Sequence, residues 1–580
     1  KYTEGVKNET IRFLTNSTIG LGGLFDPASK LLKVKPTTEN MEQALCKCKM
    51  KSGSYMVMPV LNACTPRSLC GRAIEAALDP SVYLATPITA LVKFGLMVNR
   101  TSYMQPLAQM LESTYADPYD IQKKLYGIEN YIKNANLDRQ NLLETEAKLV
   151  EEDEPSALAE EITAQTETPA DESGEITGAA ADIDELEIIQ KPELTPDILL
   201  EDFKPQSPIV DSMRTALFDN PEIDKSIWNE LSIWNRSFAK RIKTSSVAIV
   251  PERDEYKFRY ILQKDKNAPL IILYPSIGEG YNTHHSTVFA KMFFDEGYSI
   301  VMLGSHFHWE FVRSMPEGYC PGIPSQDADN IKLVTHKILD KLENKYECKF
   351  DEKIIIGTSF GALSSLFVAE KESKNNTLGI TKYIAISPPV ELVYAVEQLD
   401  KNSDELDNNS PEVKHKTAVT AAKILQITKM KENNPDMNIS ALPFTEQEGK
   451  LITTFLLRQR LSDLIFTIEN IAKGQKTDIY EAINNMSYRD YVEKYLLNGS
   501  SLENMRYETS LYSLADYLVN NDNYRIYHSP DDFFATEGQI KRLKTLAGKH
   551  LVCVSNGSHL GFLYRKEFQE ALKADVLGKI

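Results

Sequence analysis

The sequence predicts a multidomain protein with an all-α N-terminal region, an acidic disordered linker and a C-terminal α/β half built on a mostly parallel sheet. Three observations predict this class. The chain has 580 residues, more than one domain usually holds. Residues 151–190 contain fourteen Asp or Glu and no Lys or Arg. Strand-like and helix-like runs alternate after residue 246. We place the three regions at residues 1–145, 146–205 and 206–580.

Charge is concentrated in the middle of the chain. The net charge is −17, and residues 151–190 contribute −14 of it, so both ends are close to neutral. Because neither end has a basic face, we expect no nucleic-acid partner. We interpret the acidic run as a solvated spacer, with binding of cations or of a basic partner as the alternative. Few apolar side chains are available for burial in residues 146–205, which predicts disorder.

The C-terminal half alternates between strand-like and helix-like runs, which indicates a mostly parallel sheet with both faces covered. The predicted strands are 256–262, 270–274, 298–303, 353–356, 383–386, 524–527 and 550–554. The predicted helices include 287–294, 327–342 and 361–371. An insertion at about 390–518 is rich in helix formers, and we expect it to form a cap over the end of the sheet.

Residues 354–362, with the sequence IIIGTSFGA, carry the strongest chemical signal. Three isoleucines predict a buried strand, and the run after Gly361 predicts a helix. Gly357, Ser359 and Gly361 form the pattern G-x-S-x-G between the two. In such a turn the flanking residues must be small, and the serine is held in a strained backbone with its hydroxyl exposed. Ser359 is therefore the candidate nucleophile.

A serine nucleophile requires a base, and the histidines that follow it are His415, His528, His550 and His559. His559 lies in the turn NGSHLGF directly after the last predicted strand, which places its imidazole at the top of the sheet. His415 falls in a polar helical insertion, and the other two fall at strand edges. We expect His559 to be the base.

The acid that orients the histidine should follow the preceding strand. Asp531 and Asp532 both lie there, in the segment RIYHSPDDFF. The pattern H-G-x-x-D, read from His528, favours Asp532, and Asp531 is the alternative. The discarded carboxylate would be a solvated or helix-capping group.

An oxyanion hole requires two backbone N–H groups directed at the developing negative charge. One N–H would come from Phe360, directly after the nucleophile. The other would come from the turn PSIGEG after the strand that ends at Tyr274. Pro275 occupies the place of the histidine in the usual H-G-x-G pattern, and we select Ile277 as the second donor.

With an elbow, an acid loop and a terminal histidine loop in this order, residues 246–578 resemble the α/β-hydrolase family. The resemblance implies transfer of an acyl group to water, without a metal or organic cofactor. Ser359 would attack an ester carbonyl, His559 would take its proton, and Asp532 would hold the imidazole. Apolar positions of the insertion would line an acyl pocket or form the core of the cap: Ile452, Phe455, Leu456, Leu461, Leu464 and Ile465.

Three short motifs mark the N-terminal region, and each combines glycine or proline with fixed polar residues. The first comprises Arg12, Phe13, Asn16, Ser17, Gly20, Gly22, Gly23, Asp26 and Ala28. The second comprises Gly53, Tyr55 and Pro59, and the third comprises Thr65, Arg67 and Gly71. A further amphipathic helix is predicted at 119–133.

In this order and spacing, the motifs of residues 8–133 resemble the MlaA (VacJ) lipoprotein family of Gram-negative outer membranes. Ser54 replaces a family proline, Ser68 replaces a family acid, and two family glycines are missing from residues 45–50. The resemblance implies a helical body in the outer membrane, reached from the periplasmic side. It also implies movement of phospholipid to a soluble periplasmic carrier, with an outer-membrane porin as a possible partner.

The sequence contains only weak signals for membrane insertion and for disulfide formation. No run of twenty apolar residues occurs, and the nearest candidate, residues 81–98, contains Pro87 and Lys93. We therefore expect no simple transmembrane helix, and a short membrane-embedded hairpin remains open. The chain starts at Lys1, as in a mature form or a fragment. The seven cysteines lack metal-site spacing and are interpreted as free, with an N-terminal disulfide as the alternative.

Together these observations favour an envelope protein that joins a phospholipid-transport region to a serine hydrolase of lipids or acyl esters. The first alternative is a non-enzymatic transport or docking protein whose hydrolase fold is inactive. The second is a serine peptidase or thioesterase with the same three residues. Fold alone does not decide among these substrates.

Overall fold

The computed structural model describes most of the chain, and the following account is restricted to that part. The described residues are 10–12, 14–15, 27–34, 40–58, 62–78, 114–137, 142–143, 194–217, 226–228, 237–404, 410–434, 441–470, 477–497 and 499–579. The chain divides into two compact units. The first comprises residues 1–107 and 122–140, and the second comprises residues 108–121 and 141–580.

The N-terminal elements are short helices and one β-hairpin. The helices are α1 (Pro27–Lys30), α2 (Met41–Lys47), α3 (Pro66–Leu78) and α4 (Pro118–Ala135). The antiparallel hairpin pairs β1 (Met56–Met58) with β2 (Asn62–Cys64). The structure confirms a helix at the predicted position 119–133. The predicted motif residues Phe13, Asn16, Ser17, Gly20, Gly22, Gly23, Asp26 and Pro59 lie outside the described residues.

Motif residues that are described fix the start of α3 and its packing on α2. Thr65 and Ser68 cap α3 reciprocally: the Ser68 N–H donates to Thr65 Oγ1 (3.3 Å) and the Thr65 N–H donates to Ser68 Oγ (2.9 Å). Thr65 and Ser68 thus form a capping box at the start of α3. A Cβ at Gly71 would lie 2.8 Å from the Glu42 nitrogen, so only glycine allows this approach of the two helices.

The second unit is built on an eight-stranded sheet with the order β3-β4-β6-β5-β7-β8-β9-β10. Its strands are β3 (Lys243–Val247), β4 (Tyr256–Ile261), β5 (Leu270–Tyr274), β6 (Ser299–Met302), β7 (Lys353–Thr358), β8 (Lys382–Ile386), β9 (Tyr524–His528) and β10 (Leu551–Cys553). Only β4 runs against its neighbours, since it pairs antiparallel with both β3 and β6. This is the α/β-hydrolase arrangement, as predicted. Strand β3 was not predicted, because its KTSSV sequence has little apolar character.

Apolar strands explain why the sheet forms with both faces covered. All five residues of β5 are buried, and so are the last five of β7. One face packs on a core that contains Tyr274, Ile355 and Leu363, and the other on a core that contains Ile271, Ile356 and Phe562. Strands buried on both faces read as continuous hydrophobic runs, which made them visible in the sequence.

Helices before and after the sheet strands surround the two faces. Those outside the cap are α5 (Pro208–Ser212), α6 (Arg214–Leu217), α7 (Phe238–Arg241), α8 (His284–Asp295), α9 (Trp309–Ser314), α10 (Pro324–Tyr346), α11 (Phe360–Lys374), α19 (Glu537–Ala547) and α20 (Lys566–Val576). Strand β6 lies on one side of β5 in the sheet, and β7 lies on the other side. The direction of winding therefore reverses between β5 and β7, and the carboxyl ends of these two strands form the switch point at which α/β sheets bind ligands.

The insertion between β8 and β9 is helical, as predicted, and we call it the cap. It contains α12 (Leu392–Asp404), α13 (Pro411–Asn433), α14 (Glu446–Ile468), α15 (Thr477–Asn485), α16 (Tyr488–Tyr491), a π-turn (Val492–Leu496), α17 (Leu502–Glu508), a 3₁₀ turn (Leu511–Leu514) and α18 (Ala515–Asn520). Leu461, Leu464 and Ile465 are buried in the core, whereas Leu456 is exposed.

The end of the predicted linker lies against the sheet. Residues 146–193 are outside the described residues, but 194–205 are described. Ile198 bridges Val554, and the Asp197 N–H donates to the Cys553 carbonyl (2.8 Å). The segment also buries Ile198 and Leu200 in the core, a short apolar run that the acidic composition of the preceding residues obscured. Farther along the chain, Trp228 is half exposed and Trp234 is outside the described residues.

The structure also bears on membrane insertion and disulfides. None of the helices in the described ranges is long and apolar enough to cross a membrane. The candidate hairpin at 81–98 lies outside those ranges. All seven cysteines are described, and none of them is paired in a disulfide.

Candidate active site

The candidate nucleophile lies on a strained turn between β7 and α11. Ser359 has φ 53° and ψ −121°, a backbone conformation that is unfavourable for a residue with a side chain. A Cβ at Gly361 would lie 2.4 Å from the Pro275 carbonyl oxygen, and one at Gly357 would lie 2.5 Å from the Gly361 carbonyl oxygen. Both glycines are therefore required by the closeness of the backbone, which explains the G-x-S-x-G pattern.

The loop after β10 brings His559 to the serine. The Nε2 of His559 lies 2.7 Å from Ser359 Oγ. Helix α5 supports this loop, because the His559 N–H donates to Ser212 Oγ on α5 (3.0 Å). A Cβ at Gly561 would lie 2.2 Å from the Asp211 carbonyl oxygen, so α5 packs directly on this loop. The contact of α5 with this loop was not predicted from the sequence.

The two adjacent aspartates after β9 have separate partners. The other ring nitrogen of His559, Nδ1, lies 2.9 Å from Asp532 Oδ2 and 3.1 Å from Asp532 Oδ1. Asp531 instead accepts hydrogen bonds from the Ser529 hydroxyl and from the Ser558 N–H, the latter at 3.0 Å. Asp532 thus contacts the imidazole, and Asp531 ties the acid loop to the histidine loop.

Electrostatics favour an ionised Asp532. Complete burial alone would raise the pKa of this carboxyl group, because a low dielectric disfavours charge. The neighbouring His559, through charge and hydrogen bond, outweighs burial, with further help from His528 and the Phe534 N–H. The net result is a pKa below the ordinary value for aspartate, so the group carries its charge beside the imidazole.

The other three histidines after Ser359 lie away from its hydroxyl. His528 is fully buried, and its ring nitrogens lie 3.1 Å from the Pro388 carbonyl and 3.2 Å from the Ser529 carbonyl. His550 pairs with Asp522, and His415 is exposed on α13. Of the four histidines after Ser359, the structure brings only His559 to the serine.

The turn after β5 contains the proposed oxyanion donor Ile277. The N–H groups on either side of it are engaged: the Ser276 N–H donates to Glu279 Oε2 within the turn (3.2 Å), and the Gly278 N–H donates to Ser305 Oγ in the loop after β6 (3.3 Å). Among the described residues, no acceptor contacts the N–H of Ile277. Phe360 is the first residue of α11, where backbone N–H groups have no acceptor inside the helix. Both N–H groups are thus available to a ligand.

Arg460 of α14 holds this turn from the cap. It donates to the Ile277 carbonyl oxygen through Nη1 (2.7 Å) and to Glu279 Oε1 through Nη2 (3.1 Å). Burial would raise the pKa of Glu279, but His285 and Arg460 outweigh it and lower that pKa. Sequence reasoning missed Arg460, Glu279 and His285. They belong to no local motif, and Arg460 is separated from the turn by about a third of the chain.

Comparison with known proteins identifies the N-terminal region. The family model described as MlaA lipoprotein matches residues 2–131. The Haemophilus influenzae intermembrane phospholipid transport system lipoprotein MlaA is 33% identical over 119 residues, which cover 20% of this chain and 47% of that protein. An uncharacterized protein of Rickettsia typhi is 33% identical over 73 residues, or 12% of this chain and 29% of that protein. The chain therefore spans less than half the length of these curated relatives.

Solved structures resemble the other part of the chain. An esterase of Pyrococcus furiosus has a TM-score of 0.33 and 12% identity, and the match covers 61% of this chain and 96% of the esterase. A serine hydrolase of Cycloclasticus zankles has a TM-score of 0.34 and 15% identity, with 58% and 99% of the two chains covered. The strand order of the sheet defines the fold of this unit.

The family match agrees with the predicted location of the N-terminal region, the periplasmic side of the outer membrane of Gram-negative bacteria. The MlaA lipoprotein family model thus matches residues 2–131, and the unit that contains residues 141–580 has the α/β-hydrolase fold.

Proposed function

We propose that the second unit is a serine hydrolase of acyl esters, and that the N-terminal region handles the phospholipids from which such esters come. One observation carries the proposal: the hydrogen-bonded series from Ser359 Oγ through His559 to Asp532, with contacts of 2.7 Å and 2.9 Å. A serine beside a base, and a base beside an orienting carboxylate, are the parts that acyl transfer requires.

The proposed reaction has two steps. His559 Nε2 takes the proton of Ser359 as Oγ bonds to the ester carbonyl carbon, and Asp532 stabilises the resulting imidazolium. The N–H groups of Ile277 and Phe360 donate to the developing oxyanion. The bond from carbon to the alcohol oxygen then breaks, and the alcohol leaves with the proton from His559. Water attacks the acyl-enzyme by the same route, releasing a carboxylic acid and restoring Ser359.

The N-terminal match supports a lipid substrate by association. The Haemophilus relative is named for intermembrane phospholipid transport. A hydrolase joined to such a domain would act on phospholipids or their acyl esters near the outer membrane. By the same resemblance, its partners would include a soluble periplasmic lipid carrier and an outer-membrane porin. The match supplies no substrate by itself, because fold and function are separable.

The test is hydrolysis by the full chain of phosphatidylethanolamine and phosphatidylglycerol in vesicles, measured as free fatty acid released. Ser359→Ala is the inactive control. Ser373→Ala is the matched control, because Ser373 is exposed on the same helix as the elbow and should leave activity unchanged. Release that requires Ser359 supports the proposal. Cleavage of soluble esters alone would remove the lipid substrate, and no cleavage of either would favour a non-enzymatic docking role.

A further inference from the structure

His528 is a fully buried histidine beside the proposed acid, and the reaction described above gives it no role. It is the last residue of β9 and stands four positions before Asp532. Its Nε2 lies 3.1 Å from the Pro388 carbonyl oxygen, and its Nδ1 lies 3.2 Å from the Ser529 carbonyl oxygen. Both ring nitrogens therefore face backbone atoms that can only accept a hydrogen bond.

These two contacts indicate where the ring protons lie. A neutral imidazole has one N–H group and one bare nitrogen, so it could donate to only one of the two carbonyls. Its bare nitrogen would then face the other carbonyl oxygen, and two lone pairs would meet in a buried place where no water relieves them. An imidazolium has two N–H groups and satisfies both carbonyls. The hydrogen-bond geometry thus favours a charged ring at His528.

A buried cation requires a counter-charge nearby. The Nδ1 of His528 lies 3.8 Å from Asp532 Oδ2, and no other carboxylate of a described residue lies within 4 Å of this ring. The neighbouring Asp531 is bonded to the Ser529 hydroxyl and to the Ser558 N–H instead. The same Oδ2 of Asp532 is 2.9 Å from His559 Nδ1, so two imidazole rings share one carboxylate.

This sharing changes the charge of the site. With His528 charged, the group of His528, Asp532 and His559 is neutral at rest and carries one positive charge once His559 takes the proton of the serine. Without that cation, the same group would be negative at rest and neutral after the transfer. The cation therefore weakens the hold of Asp532 on the proton of His559, which makes the imidazolium a stronger acid toward the leaving alcohol.

We propose that His528 is a buried imidazolium that acts as a positioning residue: it shares the Asp532 carboxylate with His559 and sets how readily the base gives up its proton. The inference rests on the proposed function and deepens it. His528 touches neither substrate nor Ser359, so it acts only through Asp532. The ring also anchors the acid loop, because its two acceptors lie in the segments that follow β8 and β9.

The first test reads the charge of the ring directly and needs no activity. The full chain is labelled with ¹⁵N in histidine, and its ring nitrogens are observed by NMR at about pH 7.5, where a free histidine is mostly neutral. The resonances of His528 are assigned by their absence from His528→Gln, or from His528→Asn. We expect two protonated nitrogens. One protonated and one bare nitrogen would overturn the inference.

The second test reads the role of the charge in hydrolysis of p-nitrophenyl acetate. His559 must be neutral to act as the base, so kcat/KM falls on the acidic side of its pH profile. Because His528→Gln removes a cation near His559, that acid limb should move to higher pH by about one unit. His550→Gln is the matched control, since His550 pairs with Asp522 before β10, and its limb should stay in place.

The outcomes separate the two levels of the proposal. A histidine that only supports the fold would lower the plateau of kcat/KM in His528→Gln without moving the limb, and this result would overturn the positioning role while the hydrolase stands. An equal shift in His550→Gln would overturn it as well. A parent chain that does not hydrolyse the ester would overturn the proposed function and, with it, the role of His528 in catalysis.

Discussion

The two sides of the proposed active site are held in place by different parts of the protein. Ser359, Asp532 and His559 stand on loops that follow β7, β9 and β10, and their contacts join neighbouring parts of one sheet. The turn at Ser276–Glu279 also follows a sheet strand, but it is bound from the cap as well. Arg460 contacts the Ile277 carbonyl and the Glu279 carboxylate. The sheet thus preorganises the proposed nucleophile and base, whereas the position of the proposed oxyanion donor depends on the cap.

The first way to test this contrast is to change the two adjacent aspartates on the sheet side. Asp532→Asn should lower kcat by about 10⁴-fold, because an amide cannot stabilise the imidazolium and favours the wrong tautomer. Asp531→Asn is the matched control and should cost less than about tenfold, since Asp531 only ties two loops together. The measurement is steady-state ester hydrolysis. Equal losses in the two variants would contradict the assignment of Asp532.

The second way acts on the cap side. Arg460→Met should lower kcat by about 10- to 100-fold, because the turn that presents the Ile277 N–H loses two hydrogen bonds to the cap. KM should change little, since the oxyanion forms only in the transition state and its donors contribute little to ground-state binding. Arg460→Lys should recover part of the loss by restoring one donor and the charge beside Glu279.

Arg458→Met is the control for that substitution, since Arg458 lies on the same helix and makes no hydrogen bond to the turn. It should retain full activity. A loss confined to KM in Arg460→Met, or an equal loss in both variants, would show that the cap does not position the oxyanion donor.

The third way uses pH and the buried His308, which connects the loop after β6 to Thr114. Its Nδ1 accepts from the Glu310 N–H at the start of α9 (3.3 Å), so its Nε2 donates to the Thr114 carbonyl (3.3 Å). Burial lowers the pKa of His308 from 6.5 to about 4, although the hydrogen bond to Thr114 opposes the shift. Between these values the unfolded chain binds a proton that the folded chain does not. Stability should therefore fall as pH drops from 6.5 to 4, by up to about 3 kcal/mol.

Thermal unfolding followed across this pH range measures the effect. His308→Gln should flatten the dependence of Tm on pH, while His336→Gln should not, because His336 is half exposed and paired with Asp340. An unchanged slope in His308→Gln would contradict the neutral, buried histidine.

The smallest expected effect tests the support behind the histidine loop. Ser212→Ala removes the acceptor for the His559 N–H, a hydrogen bond worth about 1 kcal/mol, so kcat should fall by about fivefold. Ser207→Ala, at the start of the same helix, serves as the control in the same kinetic assay. A loss as large as that in Asp532→Asn would mean that α5 does more than support the loop.

The sheet and its elbow were predictable because their causes are local. Ile354, Ile355 and Ile356 are buried on both faces, and such a run looks the same in every α/β sheet. Gly357 and Gly361 are fixed by backbone approach within a few residues of Ser359. These constraints act over short stretches of sequence, so the strand–turn–helix pattern revealed them.

The contribution of the cap could not be predicted because it depends on tertiary packing. Arg460 lies on a long helix in which apolar and charged residues are mixed around the whole circumference, and only the fold selects which of them meets the turn. The distinction between Asp531 and Asp532 was predicted by a motif, but the structure supplies its physical reason: one carboxylate faces His559 and the other faces the Ser558 N–H.

The most direct test of the account is labelling of the full chain by a fluorophosphonate, with Ser359→Ala and His559→Gln in parallel and Ser373→Ala as the control. The account predicts labelling of the parent and of Ser373→Ala, none in Ser359→Ala, and a severe reduction in His559→Gln. A folded parent that is not labelled, or labelling that survives the loss of Ser359, would contradict an activated serine at this site.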